Sequence, residues 1–179
     1  MNRAAAYLGT ASIALLATLS ACGPDDPNAF APDCVPVGIL GPAADLSSFA
    51  GPSRDLDTLV TRASIAGVNG ACSNAEQGRA LATQVNVTIG VMRGPAATVR
   101  HITIPYFVAV LHGNDIVAKH LLSIEADFPP NVDRLALRSA PLDLTLPISR
   151  RMSSASYRLE VGLQLTPEQL AYNRAHPPQ

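Results

Sequence analysis

The chain predicts a mainly β protein: an antiparallel β-sandwich of about seven strands, finished by one short C-terminal helix. Three patterns support that class. Residues 81–91 place Leu81, Val85, Val87, Ile89 and Val91 on one parity and Ala82, Gln84, Asn86 and Thr88 on the other. Period two of this kind marks a half-buried strand. Residues 104–111 are apolar on both parities, as suits a central strand covered on both faces. Gly, Pro, Asn and Asp recur between such runs, which favours hairpins over long crossovers.

The elements follow in order. Residues 35–40 form a short apolar run closed by Gly41-Pro42, and residues 56–68 a strand ended by the turn dipeptide Asn69-Gly70. The 81–91 strand stops at Gly94-Pro95. Residues 99–111 and 116–124 flank His112-Gly113-Asn114-Asp115 and read as a hairpin, with Pro105 placed at the start of its strand. Residues 135–148 make the sixth strand. In the seventh, 156–165, Tyr157, Leu159, Val161, Leu163 and Leu165 alternate with Arg158, Glu160, Gly162 and Gln164. Seven strands at this spacing suit an Ig-like or transthyretin-like arrangement, with a small barrel as the competitor. Thr166, Pro167 and Gln169 then form an N-cap, an N1 proline and the N3 partner of a capping box. A helix over 167–175 is expected, halted by Pro177-Pro178. Nine residues do not hold a helix alone in water, so Leu170 and Tyr172 are read as its contacts, either with the sheet or with a partner.

The N-terminus obeys a different logic. Arg3 precedes an apolar run over residues 4–19, shorter than the roughly 20 residues of a membrane-spanning helix. Leu19-Ser20-Ala21-Cys22 closes it, and this segment resembles the lipobox of bacterial lipoprotein precursors. The resemblance covers residues 1–22. It implies a signal peptide over 1–21, lipidation (including palmitate) at Cys22, and attachment to the cell envelope. Several acyl chains at roughly 0.8 kcal/mol per buried CH₂ make a nearly permanent anchor. Gly23 is not the Asp that retains such proteins in the inner membrane of enteric bacteria, so the outer membrane, facing the periplasm, is favoured. Residues 162–174 also resemble the tails of proteobacterial lipoproteins of unknown function, which implies no activity.

With Cys22 assigned to lipid, residues 22–33 become the lipidated cysteine and a Pro- and Asp-rich tether. Its eleven residues after Cys22 reach at most about 36 Å. Residues 34–179 then form one domain. Cys34 and Cys72 remain as an even pair in an oxidising compartment, where a disulfide is expected. The loop-entropy model gives about 4 kcal/mol as its upper contribution.

Composition narrows the function classes. Loss of Arg3 takes 13 basic side chains to 12, against 14 acidic ones, so there is no basic footprint for nucleic acid. Trp is absent, and four Tyr and four Phe are few for aromatic binding platforms. Lys119 is the one lysine; every other basic side chain is Arg. No Gly-x-Ser-x-Gly, Ser-x-x-Lys, His-Glu-x-x-His, Walker or dinucleotide motif occurs. Opposed across the expected hairpin, His112 and His120 lie roughly 10–13 Å apart along the strands, too far to share a zinc. Asp55, Asp57, Asp127, Asp133 and Asp143 read as solvated strand ends. Asn86-Val87-Thr88 has the form of a glycosylation sequon, an accidental one in a bacterial periplasm.

No cofactor, metal or catalytic residue is therefore assigned. The loops at 42–55 and 127–131 remain as recognition candidates, with Phe128 a contact if exposed. The reading is a non-enzymatic, lipid-anchored sandwich that binds or scaffolds another envelope component. A small-ligand or peptide carrier with an inter-sheet pocket, and a hydrolase with an unfamiliar site, are the alternatives.

Overall fold

The computed structural model describes residues 34–149 and 151–176. The expected signal peptide, Cys22 and the tether lie outside them. Among the described residues, nine strands form two sheets. In the first, β1 (Val37–Ile39), β9 (Tyr157–Leu163), β5 (His101–His112) and β6 (Asp115–Asp127) lie side by side in that order. The second runs β2 (Asp45–Phe49), β3 (Leu59–Ala75), β4 (Ala80–Arg93); β7 (Arg134–Arg138) and β8 (Leu142–Pro147) share the far side of β4. Every pair is antiparallel except β1 with β9, which is parallel. The chain is a β-sandwich with one C-terminal helix, α1 (Pro167–Ala175).

The core lies between the sheets and follows the alternation. Leu81, Val85, Val87, Ile89 and Val91 of β4 face Ile104, Tyr106, Val108 and Val110 of β5 and Leu159, Val161 and Leu163 of β9, all at 7 % exposure or less. Thr83 shares that inward parity, and its hydroxyl has no protein partner among the described residues. The opposite face of β5 is buried too. Phe107, Ala109 and Leu111 pack under Ala43 and Leu165, so β5 is covered on both sides, as its composition requires. Here Gly162 permits a close approach: a Cβ on it would stand 2.6 Å from Phe107 Cζ. Cys34 and Cys72 are joined as a disulfide with Cα atoms 5.7 Å apart, tying the chain ahead of β1 to β3 across the sheets.

Four boundaries differ from the sequence reading. Asn69-Gly70 is no turn; Asn69 pairs with Asn86 and Gly70 with Val85 inside β3. The hairpin closes later, where Glu76, Gln77 and Gly78 take positive φ of 50°, 57° and 81°. Residues 42–55 are not one loop, because Asp45–Phe49 pair with β3. Residues 135–148 are broken into β7 and β8 at Ser139-Ala140-Pro141. Ser139 spans the gap: its N–H donates to Val87 O and its hydroxyl accepts from Val87 N. Pro105, finally, is the fifth residue of β5 rather than its start. Its carbonyl accepts from Gln164 N just past the end of β9. In an antiparallel ladder a residue's N–H and C=O face the same neighbour, so the missing donor faces that open end and costs the β6 ladder nothing.

The helix forms as its caps dictate. Thr166 Oγ1 accepts from Gln169 N, and Gln169 Oε1 accepts from Thr166 N. Asn173 donates to Asp45 O and Pro42 O, which fixes α1 against the start of β2.

Candidate functional site

The two sheets do not close equally along their lengths. At one end of β6, Ala126 is fully buried, and Ile124, Leu135 and Leu137 pack against the core. Toward the β5–β6 turn, the inward positions of β6 become His120 and Ala118, one polar and one small. Opposite them runs β8, whose Leu144 and Leu146 point inward. Two sheet edges therefore face each other with too little side chain between them. The result is a lateral cleft of about 450 Å³, lined by Val110, His112, Val117, Ala118, His120 and Tyr157 of the first sheet on one wall and by Asp143–Pro147 with Met152 on the other. Its lining is predominantly apolar, the usual character of a binding cleft.

Tyr157 closes one end. Its hydroxyl donates to Pro147 O at 2.9 Å and lies 3.0 Å from Met152 Sδ. His112 packs on the Tyr157 ring with centroids 5.2 Å apart. These contacts pin the start of β9 to the end of β8, so the Tyr157 wall is preformed.

The outer lip is β6 itself. It has thirteen residues and pairs only with β5, so along its free side, among the described residues, the backbone N–H and C=O groups have no strand partner. Ile116, Val117 and Leu121 are 64 %, 57 % and 68 % exposed. Proteins usually blunt such an edge with lysine, proline or extreme shortness. Here the one lysine is engaged elsewhere: Lys119 Nζ sits 4.3 Å from the Phe107 ring centroid and bonds Gln164. It leans across the outer face of the sheet and leaves the cleft mouth unguarded.

The residues singled out from sequence fall in different places. Phe128 is corrected: it is 4 % exposed and part of the core, its N–H bonded to Arg100 O and its ring under the Arg93 guanidinium. The chain turns inward after β6, so the 127–131 segment presents no aromatic contact. Leu170 and Tyr172 are half-buried; Tyr172 meets Phe49 edge-on at 5.7 Å and stacks on His176 at 4.4 Å. That contact belongs to the docking of α1 on β2. His112 pairs with Asp115 and His120 with Val108, four residues of strand apart, or about 13 Å. Both nonetheless line the cleft. The sequence pattern set them only too far apart for a shared zinc and gave no role to Val117, Met152 or Tyr157, although the polar and small residues at alternate β6 positions were the available signal.

His101 stands apart, on the outer face of the first sheet. Its Nδ1 meets Asp127 at 2.6 Å and its Nε2 meets Glu125 at 3.1 Å, while Thr103 donates to Glu125. The hydrogen bond and charge of Asp127 hold its pKa above the ordinary 6.5, with a smaller push from Glu125. The two carboxylates grip opposite nitrogens of one ring. That arrangement clamps β5 to β6; it does not converge on an ion. Among the described residues no group of three or more His, Cys, Asp or Glu is placed to hold a metal, and no helix is long and apolar enough to cross a membrane.

Comparison with protein-family models, with curated proteins and with solved structures returns no match to this chain.

Proposed function

We propose that this is a lipid-anchored, non-enzymatic envelope protein that captures an extended segment of another envelope component along β6. The observation behind this reading is the junction of a thirteen-residue open edge with an apolar cleft. An added strand satisfies the free ladder of β6, and every second side chain of that strand drops into the cleft. A partner segment of alternating apolar and polar residues fits both requirements. Lipidation at Cys22 and the tether place the domain within reach of such a partner at the membrane.

The cleft also bears on the carrier alternative. Under β5 and β9 the interior is filled, with Ile104, Val108, Leu159 and Val161 at 1 % exposure or less. A ligand therefore enters from the side, past β6, by the route proposed for the peptide.

A photo-crosslinking residue at Leu121 of the full chain, expressed in its own envelope, tests the proposal. One discrete adduct with a protein other than itself is expected, and it disappears when Val117 is replaced by Pro. The same probe at Ser73, on the outer face of the second sheet, yields none. A ladder of unspecific adducts, or a self-adduct alone, overturns it.

A further inference from the structure

The preference for arginine over lysine has a partial structural explanation. Arg93 pairs with Asp133 and donates to Val99 O and Ala97 O; Arg54, Arg79 and Arg100 donate to backbone carbonyls; Arg158 pairs with Glu160. These are fork-shaped donors stitching loops. The arginines on the outer face of the second sheet are different. Among the described residues, Arg62 meets only Asp45, at 4.0 Å, Arg138 bonds the neutral Asn86, and Arg134 has no carboxylate partner.

Register sets two of them around one spot. Arg62 pairs with Met92, and Met92 pairs with Arg134, so the two guanidinium stems rise two strands apart, about 10 Å. The adjoining row is Asp45, Ser64, Gly90 and Ala136; between Arg62 and Arg134 nothing tall rises from it, and Asp45, the carboxylate that meets Arg62, stands at its β2 end. A Cβ on Gly90 would lie 3.5 Å from Ser64 Oγ, so the bare glycine leaves the serine hydroxyl open on the floor. The resulting groove, about 390 Å³, is lined by Arg62, Ser64, Gly90, Met92 and Arg134, with no carboxylate among its lining. Arg138 stands four residues from Arg134 on the same face of β7, about 13 Å away, and adds to the positive field without reaching the groove.

We propose that this groove is a binding site for a phosphate group, clamped between Arg62 and Arg134 and floored by Ser64 and Gly90. Planar guanidinium forks match the oxygens of phosphate bidentately, where lysine supplies only a point charge. The site is remote from the β6 cleft and independent of the function proposed for it. Two sources share this chemistry: a soluble phosphate monoester and the headgroup of a membrane lipid.

Titration of the full mature chain with phenyl phosphate, followed by amide shifts, is the first arm. Binding of the Cys22→Ser chain to vesicles of phosphatidylglycerol in phosphatidylcholine is the second. Saturable shifts at Ser64, Gly90 and Met92 are expected, weakening as salt rises. Arg134→Ala and Arg62→Ala should each weaken binding roughly tenfold or more, while Arg174→Ala, on α1, should stay within about twofold. Saturation by phenyl phosphate without vesicle binding assigns a soluble ligand; vesicle binding lost in Arg134→Ala assigns a headgroup. No shift at the groove together with no vesicle binding overturns the site, as does Arg174→Ala weakening binding as much as Arg134→Ala.

Discussion

The first sheet has two edges, and they are treated in opposite ways. β1 is three residues long, preceded by Pro36 and the Cys34–Cys72 disulfide, and followed at once by the turn at Gly41–Ala43 that covers Phe107. β6 is thirteen residues long, contains no proline, and exposes Ile116, Val117 and Leu121. An edge that short and stapled offers no template to another chain; one that long, with three large apolar side chains exposed on it, does. The same sheet therefore combines a closed side with an open one, and the open one is where the proposed partner strand would add.

The largest expected effect comes from breaking the closed side. Replacing Cys34 and Cys72 together by Ala should remove about 2–4 kcal/mol of stability, read as a lower urea midpoint at unchanged slope. If the wild-type midpoint does not fall under reducing conditions, the staple contributes nothing to closing this edge. Next in size is Gly162→Ala. Its Cβ would meet Phe107 at 2.6 Å and the Ala43 Cβ at 3.0 Å, so the cover over β5 must shift, costing about 1–3 kcal/mol. Thermal melts check this, and a neutral result would mean the cover is loosely seated.

The open side should respond in the opposite sense. Val117→Lys with Leu121→Lys removes exposed apolar surface that packs on little, so stability should move by no more than about 0.5 kcal/mol. Capture of the partner through the Leu121 neighbourhood should nevertheless be lost. A large drop in stability would show that these side chains serve the fold instead.

The smallest effect is a pH dependence of the β5–β6 clamp. The folded pKa of His101 lies above 6.5, so its contribution is complete below 6.5 and is lost as pH rises through the folded value. A proton titration by NMR should show the raised midpoint, and Asp127→Asn should bring it back toward 6.5. An unchanged midpoint in that variant would remove Asp127 as the cause.

Much of the fold was legible because its signals are local. Period two named the core face of β4 and β9, and Thr166, Pro167 and Gln169 specified a helix whose ends the structure matches at Pro167–Ala175. The errors came where local signals were outvoted by partners distant in sequence. Asn69-Gly70 is a strong turn dipeptide, but β4 offers fourteen residues of ladder and extends β3 through it. Residues 45–49 have no clean alternation, and only β3 makes them a strand. Phe128 follows an exposed aspartate and precedes two prolines, a loop composition; the Arg100 carbonyl turns it inward.

The candidate site was still less visible. Neither the cleft nor the arginine groove belongs to a continuous stretch of chain; one joins β5, β6, β8 and β9, the other β3, β4 and β7. By itself the sequence determined the class of the fold, the period of its strands, the capped helix and the pairing expected of Cys34 with Cys72, since each depends on residues near one another or on a count. The tertiary structure decided which edge of the sheet is sealed and which is left open. Strand order and register are set by pairings between residues far apart in the chain, and no local pattern encodes which neighbour a strand will lack.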